Sequence, residues 1–226
     1  MISKSLLLKP LAIAALFVAG GAAQAAITVY TSLTAFTAAV GTTGTDDYTG
    51  FAVAAGTSSP IVRSAGTFSY TATVDPTVFY GAGTTGNPWL STLTATDTIT
   101  FNGFTAGVVA AGGNFFGSDI LGSFLVGGMT LTATDASGSV SQTIANTSTA
   151  GFLGFVSTGA LLSLKLCAVQ VTINACGNSA TLAPFVWPTA DNLILASAAP
   201  VPEPETYAML LAGLGALAFM ARRRGV

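Results

Sequence analysis

The 226-residue chain contains no histidine, and between residues 26 and 200 it contains no glutamate. The first absence removes the usual general base, the usual partner of a serine or cysteine nucleophile, and the commonest transition-metal ligand. The second leaves aspartate as the only side-chain carboxylate there. Charge is scarce throughout, at 7% of residues. From 26 to 200 the ionised side chains are Asp46, Asp47, Asp75, Asp97, Asp119, Asp135 and Asp191 against Arg63 and Lys165, a formal charge of −5. Such a stretch offers no basic patch, which excludes nucleic acid as a partner. A glycosidase needs only two facing carboxylates, but nothing in the spacing selects a pair from the seven aspartates. The chain therefore reads as a non-enzyme, with a secreted polysaccharide-active enzyme as the alternative.

Long apolar runs are also missing from the interior; they fall at the two ends. MISKSLLLKPLAIAALFVAGGAAQA starts with Lys4 and Lys9, continues through an apolar stretch from Leu11 to Ala19, and ends with Ala23 and Ala25 around Gln24. A basic start, a short apolar run and an A-x-A ending make residues 1–25 a signal peptide cut after Ala25. The expected domains are then the signal peptide 1–25, an ectodomain 26–200 long enough for one core, and a tail 201–226.

The tail is VPEPETYAMLLAGLGALAFMARRRGV. Pro202 and Pro204 fix φ and remove backbone donors, so the acidic stretch before the apolar run is extended. Residues 207–221 are apolar or glycine and predict a transmembrane helix of about 22 Å, short of the ~30 Å hydrocarbon core. Arg222, Arg223 and Arg224 orient its end to the cytoplasmic side and leave the ectodomain outside the inner membrane. Motif, apolar helix and arginine cluster in this order resemble the PEP-CTERM sorting signal of Gram-negative bacteria, with Pro202, Glu203 and Pro204 as its signature. The resemblance implies an exosortase, a membrane-embedded transpeptidase-like enzyme, as partner. It also implies a transient inner-membrane intermediate, and delivery to the cell surface or the exterior, with exopolysaccharide as a possible contact.

The mature chain opens on ITVYTSLTAFTAAVG, which reads as a short strand and a small helix that plugs the domain, with Ser32 as N-cap, Leu33, Phe36 and Val40 on one face and Gly41 as the stop. Beyond it the period becomes two. Phe68, Tyr70, Ala72 and Val74 alternate with Thr67, Ser69, Thr71 and Thr73, and Met129, Leu131 and Ala133 alternate with Thr130, Thr132 and Thr134. Further short runs, TITFNGF, SVSQTI, GFLGFVS, LLSLKL, VQVTI and DNLILA, predict an all-β, antiparallel β-sandwich of jelly-roll type. The early AF helix, Asp46-Asp47-Tyr48, FFGSD, GFLGFVS and WPTADNLILAS are similar to the sandwich ectodomains found on many proteins with this tail.

Cys167 and Cys176 are the only cysteines, and in an exported protein they read as an intramolecular disulfide. That requires the chain to reverse between them. The switch from even-numbered Leu162, Leu164 and Leu166 to odd-numbered Val169, Val171 and Ile173 predicts a bulge or turn near Cys167-Ala168. No cofactor is expected apart from a possible calcium ion held by Asp46, Asp47 and Asp191, which lie where first and last strands of a sandwich neighbour each other. The other reading makes Asp191-Asn192 a turn before the last strand and Asp46-Asp47 a solvated loop. Trp89 and Trp187 are read as core residues or as platforms for sugar rings.

Overall fold

A computed structural model describes residues 26–170, 175–176, 185–200, 210–214 and 217. The signal peptide 1–25, Pro202, Glu203, Pro204 and Arg222 to Arg224 lie outside the described residues. The chain runs through β1 (Ile27–Tyr30), α1 (Leu33–Ala38), β2 (Val40–Asp46), β3 (Gly56–Thr57), β4 (Ile61–Ala65) and β5 (Phe68–Asp75). It continues with β6 (Phe79–Thr84), β7 (Asn87–Thr92), β8 (Thr98–Asn102), β9 (Val108–Ser118), β10 (Phe124–Leu125) and β11 (Gly128–Asp135). The last elements are β12 (Gly138–Ile144), β13 (Phe152–Ser157), β14 (Leu161–Gln170), β15 (Ala175–Cys176) and β16 (Trp187–Ala198).

Among the described residues these strands form two antiparallel sheets. The first has the order β1-β13-β9-β16-β7-β6-β3, with β10 beside β9 and β2 beside β16; the second is β12-β11-β14-β8-β5-β4, with β15 beside β14. Phe79, Leu90, Phe115, Phe155 and Leu195 of the first sheet share one buried cluster with Tyr70, Ile99, Phe101, Leu131 and Leu164 of the second. Two sheets closing on one core is a sandwich, as the period-two runs predict. Nine strands and seven strands exceed the eight of a jelly roll, so that finer assignment is not carried by the fold.

In β5 and β11 the alternation holds: Phe68, Tyr70, Ala72, Val74, Met129, Leu131 and Ala133 are buried. In β9 and β16 it does not, since most of their residues are buried on both faces. The reason is that the first sheet is covered outside as well as inside. Over one half lies α1, whose Phe36 packs with Val40, Ala110, Ile194 and Ala196. Over the other half the segment after β9 crosses to β6, where Gly122 stands at φ +81° and a Cβ on it would lie only 2.8 Å from the Ala82 Cα. Below it Trp89, Phe116 and Phe124 stack edge to face at 4.9 and 5.9 Å.

Five local expectations are corrected. Ser32 caps α1 as predicted, accepting from Ala35 N, but the helix lies on the outer face of the sheet and does not plug the core. Leu33 is exposed, and Gly41 is inside β2, pressed against the Ala198 carbonyl. The bulge in β14 is not near Cys167: the register slips between Thr134↔Ser163 and Asp135↔Leu161, which extrudes Leu162 to solvent and leaves even parity running to Gln170. The reversal comes later, where β15 places Cys176 opposite Val169, two residues along from Cys167. Asp191-Asn192 is not a turn before the last strand but a bulge within β16, with Asn192 at φ +50°.

Candidate functional site

β16, which leads into the tail, lies inside the first sheet. It pairs with β9 along most of its length and with β7 and then β2 on its other side. Pairing persists to Ala198, opposite Val40, and Thr42 N donates to Ser197 Oγ at 3.1 Å. The chain leaves the sheet at Ala199 and Pro200. The register Ile27↔Ser157, Val156↔Ala110 and Ala110↔Ala196 puts Ala26 and Ala198 at the same end of that sheet. Three strand spacings separate them, about 14 Å. Ala26 is held there by Thr158, whose Oγ1 accepts from its N–H at 2.9 Å.

Among the described residues, 210–214 and 217 are helical, with Leu210, Leu211, Leu214 and Leu217 exposed. No described helix is long and apolar enough to cross a membrane. The transmembrane helix expected over 207–221 falls largely outside the described residues.

Of the three aspartates proposed for calcium, Asp46 is set opposite Leu193, two residues from Asp191, by the pairing of β2 with the tail-bearing half of β16, but the three do not form a group. Their chemistry is different. Asp46, buried, accepts from Arg63 Nε and Nη2 at 2.7 Å each, from Tyr70 Oη at 2.7 Å and from Tyr48 N at 2.9 Å. The guanidinium lies 5.1 Å from the Tyr48 ring centroid and 5.8 Å from that of Phe51. Hydrogen bonding to Asp46 keeps Arg63 firmly protonated, and burial raises the Tyr70 and Tyr48 phenols. This clamp joins β2 of one sheet to β4 and β5 of the other. Gly44 permits the approach, since a Cβ there would sit 2.0 Å from the Ala65 carbonyl oxygen. Asp47 is exposed and caps its own turn, accepting from Thr49 N at 3.0 Å, which lowers its pKa. Asp191 accepts from Asn192 N at 2.8 Å, and burial raises its pKa, with a further contribution from the Asp47 charge. Among the described residues no three metal-ligating acids or cysteines form a group.

A second polar tie closes the opposite edge of the sandwich. Asp135 accepts from Ser137 Oγ at 2.6 Å and Ser137 N at 2.8 Å, and with its other oxygen from Ser157 Oγ at 2.7 Å across the sheets. The Ser137 and Ser157 hydroxyls hold its carboxyl below the ordinary range. A third tie is Gln170, fully buried, whose amide donates to Ala95 O and Val186 O and accepts from Val186 N. Asp97, beside Thr77 and near Asp75, has a raised pKa, first through burial. Neither Asp46 nor Arg63 was legible as a pair in the sequence: they are separated by 17 positions and meet from different sheets. The signal available was that Arg63 is one of two ectodomain cations.

Trp89 is packed against Phe116, and Trp187 Nε1 donates to Leu93 O at 3.2 Å. A cavity of about 470 Å³ opens between the β12–β13 connection and the first sheet, lined by Thr31, Gln142, Thr143, Asn146, Ser148 and Phe152 among others, with no ionisable side chain. Its hydroxyls and amides suit an uncharged polar ligand.

No curated protein and no solved structure matches the chain. A family model does match its end, over the stretch that begins where β16 leaves the sheet: residues 200–224 carry the PEP-CTERM protein-sorting motif, which marks the chain as an exported protein sorted to the cell surface by an exosortase.

Proposed function

We propose that the chain is a non-enzymatic β-sandwich which its tail presents to the exosortase, and which then serves at the surface or in the exopolysaccharide matrix as a structural or glycan-contacting component. The observation that carries the sorting half is the position of the motif. It starts two residues after Ala198, the last paired residue of a central strand, so the sorting motif follows the folded domain with almost no intervening chain. Ala26 and Ala198 lie at the same end of the first sheet, so the expected signal-peptide cleavage point and the start of the tail share one pole of the sandwich. The glycan half is supported by the uncharged cavity and the threonine-rich outer faces. It predicts that neutral oligosaccharides, and not anionic ones, protect residues 142–148 from hydrogen exchange.

Pulse-chase labelling in an exosortase-containing host tests the reading. Replacing Pro202, Glu203 and Pro204 with alanine leaves the apolar run and the arginines intact, so a sorted substrate accumulates uncleaved in the inner membrane. Identical processing and fractionation of wild type and variant would show that the tail is an anchor only. The rival reading, a secreted polysaccharide-active enzyme, would be favoured by polysaccharide hydrolysis that substitution of an ectodomain aspartate abolishes.

A further inference from the structure

Among the described residues the strand paths of the two sheets end in β1 and β3 and in β12 and β4, and β2, which carries Asp46, and the two-residue β10 and β15 also pair on one side only. Exposed edges pair with other chains unless something prevents it, and short length, proline and charge are the usual preventions. β1 has four residues and β3 has two. β4 is entered through Pro60 and carries Arg63. β12 has none of these protections. Its seven residues, GSVSQTI, contain no charge and no proline, and its register with β11 is unbroken from Met129↔Ile144 to Asp135↔Gly138. Among the described residues it pairs with β11 alone.

The strand is also held straight and in place. Asp135 fixes the β11–β12 turn, accepting from Ser137 N and Gly138 N, and ties it to β13 through Ser157. On the outer face, Thr130–Thr143, Thr132–Ser141 and Thr134–Ser139 are hydrogen-bonded hydroxyl pairs, each at 2.8 Å. Ordering an edge costs conformational entropy on association, and here that ordering is already complete.

We infer that β12 is an assembly edge, and that its occupant is β12 of a second copy of this chain, running antiparallel about a two-fold axis at Ser141. That register uses the whole strand, sets Ser139 opposite Thr143 of the second copy and Ser141 opposite Ser141, and so extends the hydroxyl pairs into rows of four across the junction. A second copy is favoured over an unrelated strand because the match is to its own pattern. Elsewhere two ectodomains of charge −5 repel, whereas this edge brings no charge to the contact. The result is a continuous sheet across two protomers whose junction adjoins the cavity, since Gln142, Thr143 and Ile144 of β12 also line it.

The test uses the full chain in mild detergent, compared by sedimentation velocity over a range of concentrations. Wild type is expected to shift from monomer to dimer as concentration rises. Ser141→Lys and Ser141→Glu each place like charges face to face on the axis, and each is expected to stay monomeric. Mixing the two is expected to restore a dimer, which also shows that both variants are folded. Association through the tail would be identical in all samples, since all carry the same tail, and that equality would overturn the proposal. So would a wild type that stays monomeric throughout, or a mixture no more associated than its components.

Discussion

Removing Arg63 tests whether the clamp at Asp46 holds the two sheets together. In Arg63→Met the aliphatic stem is kept, and two charge-assisted hydrogen bonds of 2.7 Å are lost. Asp46, with 4% of its surface exposed, is left as a buried carboxylate. Breaking a buried ion pair by deleting one partner costs about 3–5 kcal/mol. Two features reduce that here. Arg63 is 20% exposed, so water reaches the vacated position, and Tyr70 Oη and Tyr48 N still donate to Asp46. The expected loss is therefore about 2–3 kcal/mol, at or below the bottom of that range. For a domain of this size each kcal/mol shifts Tm by about 2–4 °C, giving a fall of about 5–10 °C. Thermal unfolding followed by tryptophan fluorescence measures it. Asp46→Asn combined with Arg63→Met should cost less than the sum of the two single changes, because the second change removes the orphaned charge that the first creates. If Arg63→Met stays within about 0.5 kcal/mol of wild type, the range of ordinary surface substitutions, the clamp is not a stability element and the reasoning fails.

Two further aspartates predict opposite pH behaviour. The Asp135 carboxyl is lowered in the folded chain by the Ser137 and Ser157 hydroxyls, so its contribution is present above the unfolded value of about 3.9 and is lost as pH falls through the lower folded value. Asp135→Asn should destabilise at neutral pH and converge with wild type in strong acid; a constant difference at every pH would refute the assignment. Asp97 is raised, first by burial, so its ionised form is a penalty above its folded pKa that disappears on acidification below the unfolded value. Asp97→Asn should raise the urea midpoint at pH 7 and leave it unchanged near pH 3, and a lower midpoint at pH 7 would count against it. Non-reducing peptide mapping of exported protein should join Cys167 to Cys176, since β15 turns the chain back beside β14; two freely alkylated cysteines would exclude the bridge.

The parts of the fold that were legible in the sequence are those decided within a few residues. The alternation of β5 and β11 and the Ser32 cap depend on local spacing, and the structure keeps them. Features decided by distant partners were not legible. The slip at Leu161–Ser163 is set by Thr134 and Asp135 of a neighbouring strand, so parity alone placed the bulge several residues late. Leu33 was expected inside because a helix with one apolar face needs a neighbour, but α1 is a six-residue cover whose buried contact is Phe36 alone. The pairing of β2 with β16, the last strand, places Asp46 opposite Leu193. The use of Asp46 was not legible, because Arg63 comes from the other sheet and takes both carboxylate oxygens. The tail was the most legible segment, since proline, apolar length and arginine act through composition and order, without tertiary partners.

Intact-mass analysis of the protein recovered outside the inner membrane tests the central claim most directly, because one mass reports both ends. A sorted substrate has lost residues 1–25, begins at Ala26, and has been cut near Pro202-Glu203-Pro204 so that Arg222, Arg223 and Arg224 are absent. A recovered chain that still begins at Met1, or that keeps the three arginines, would contradict the account.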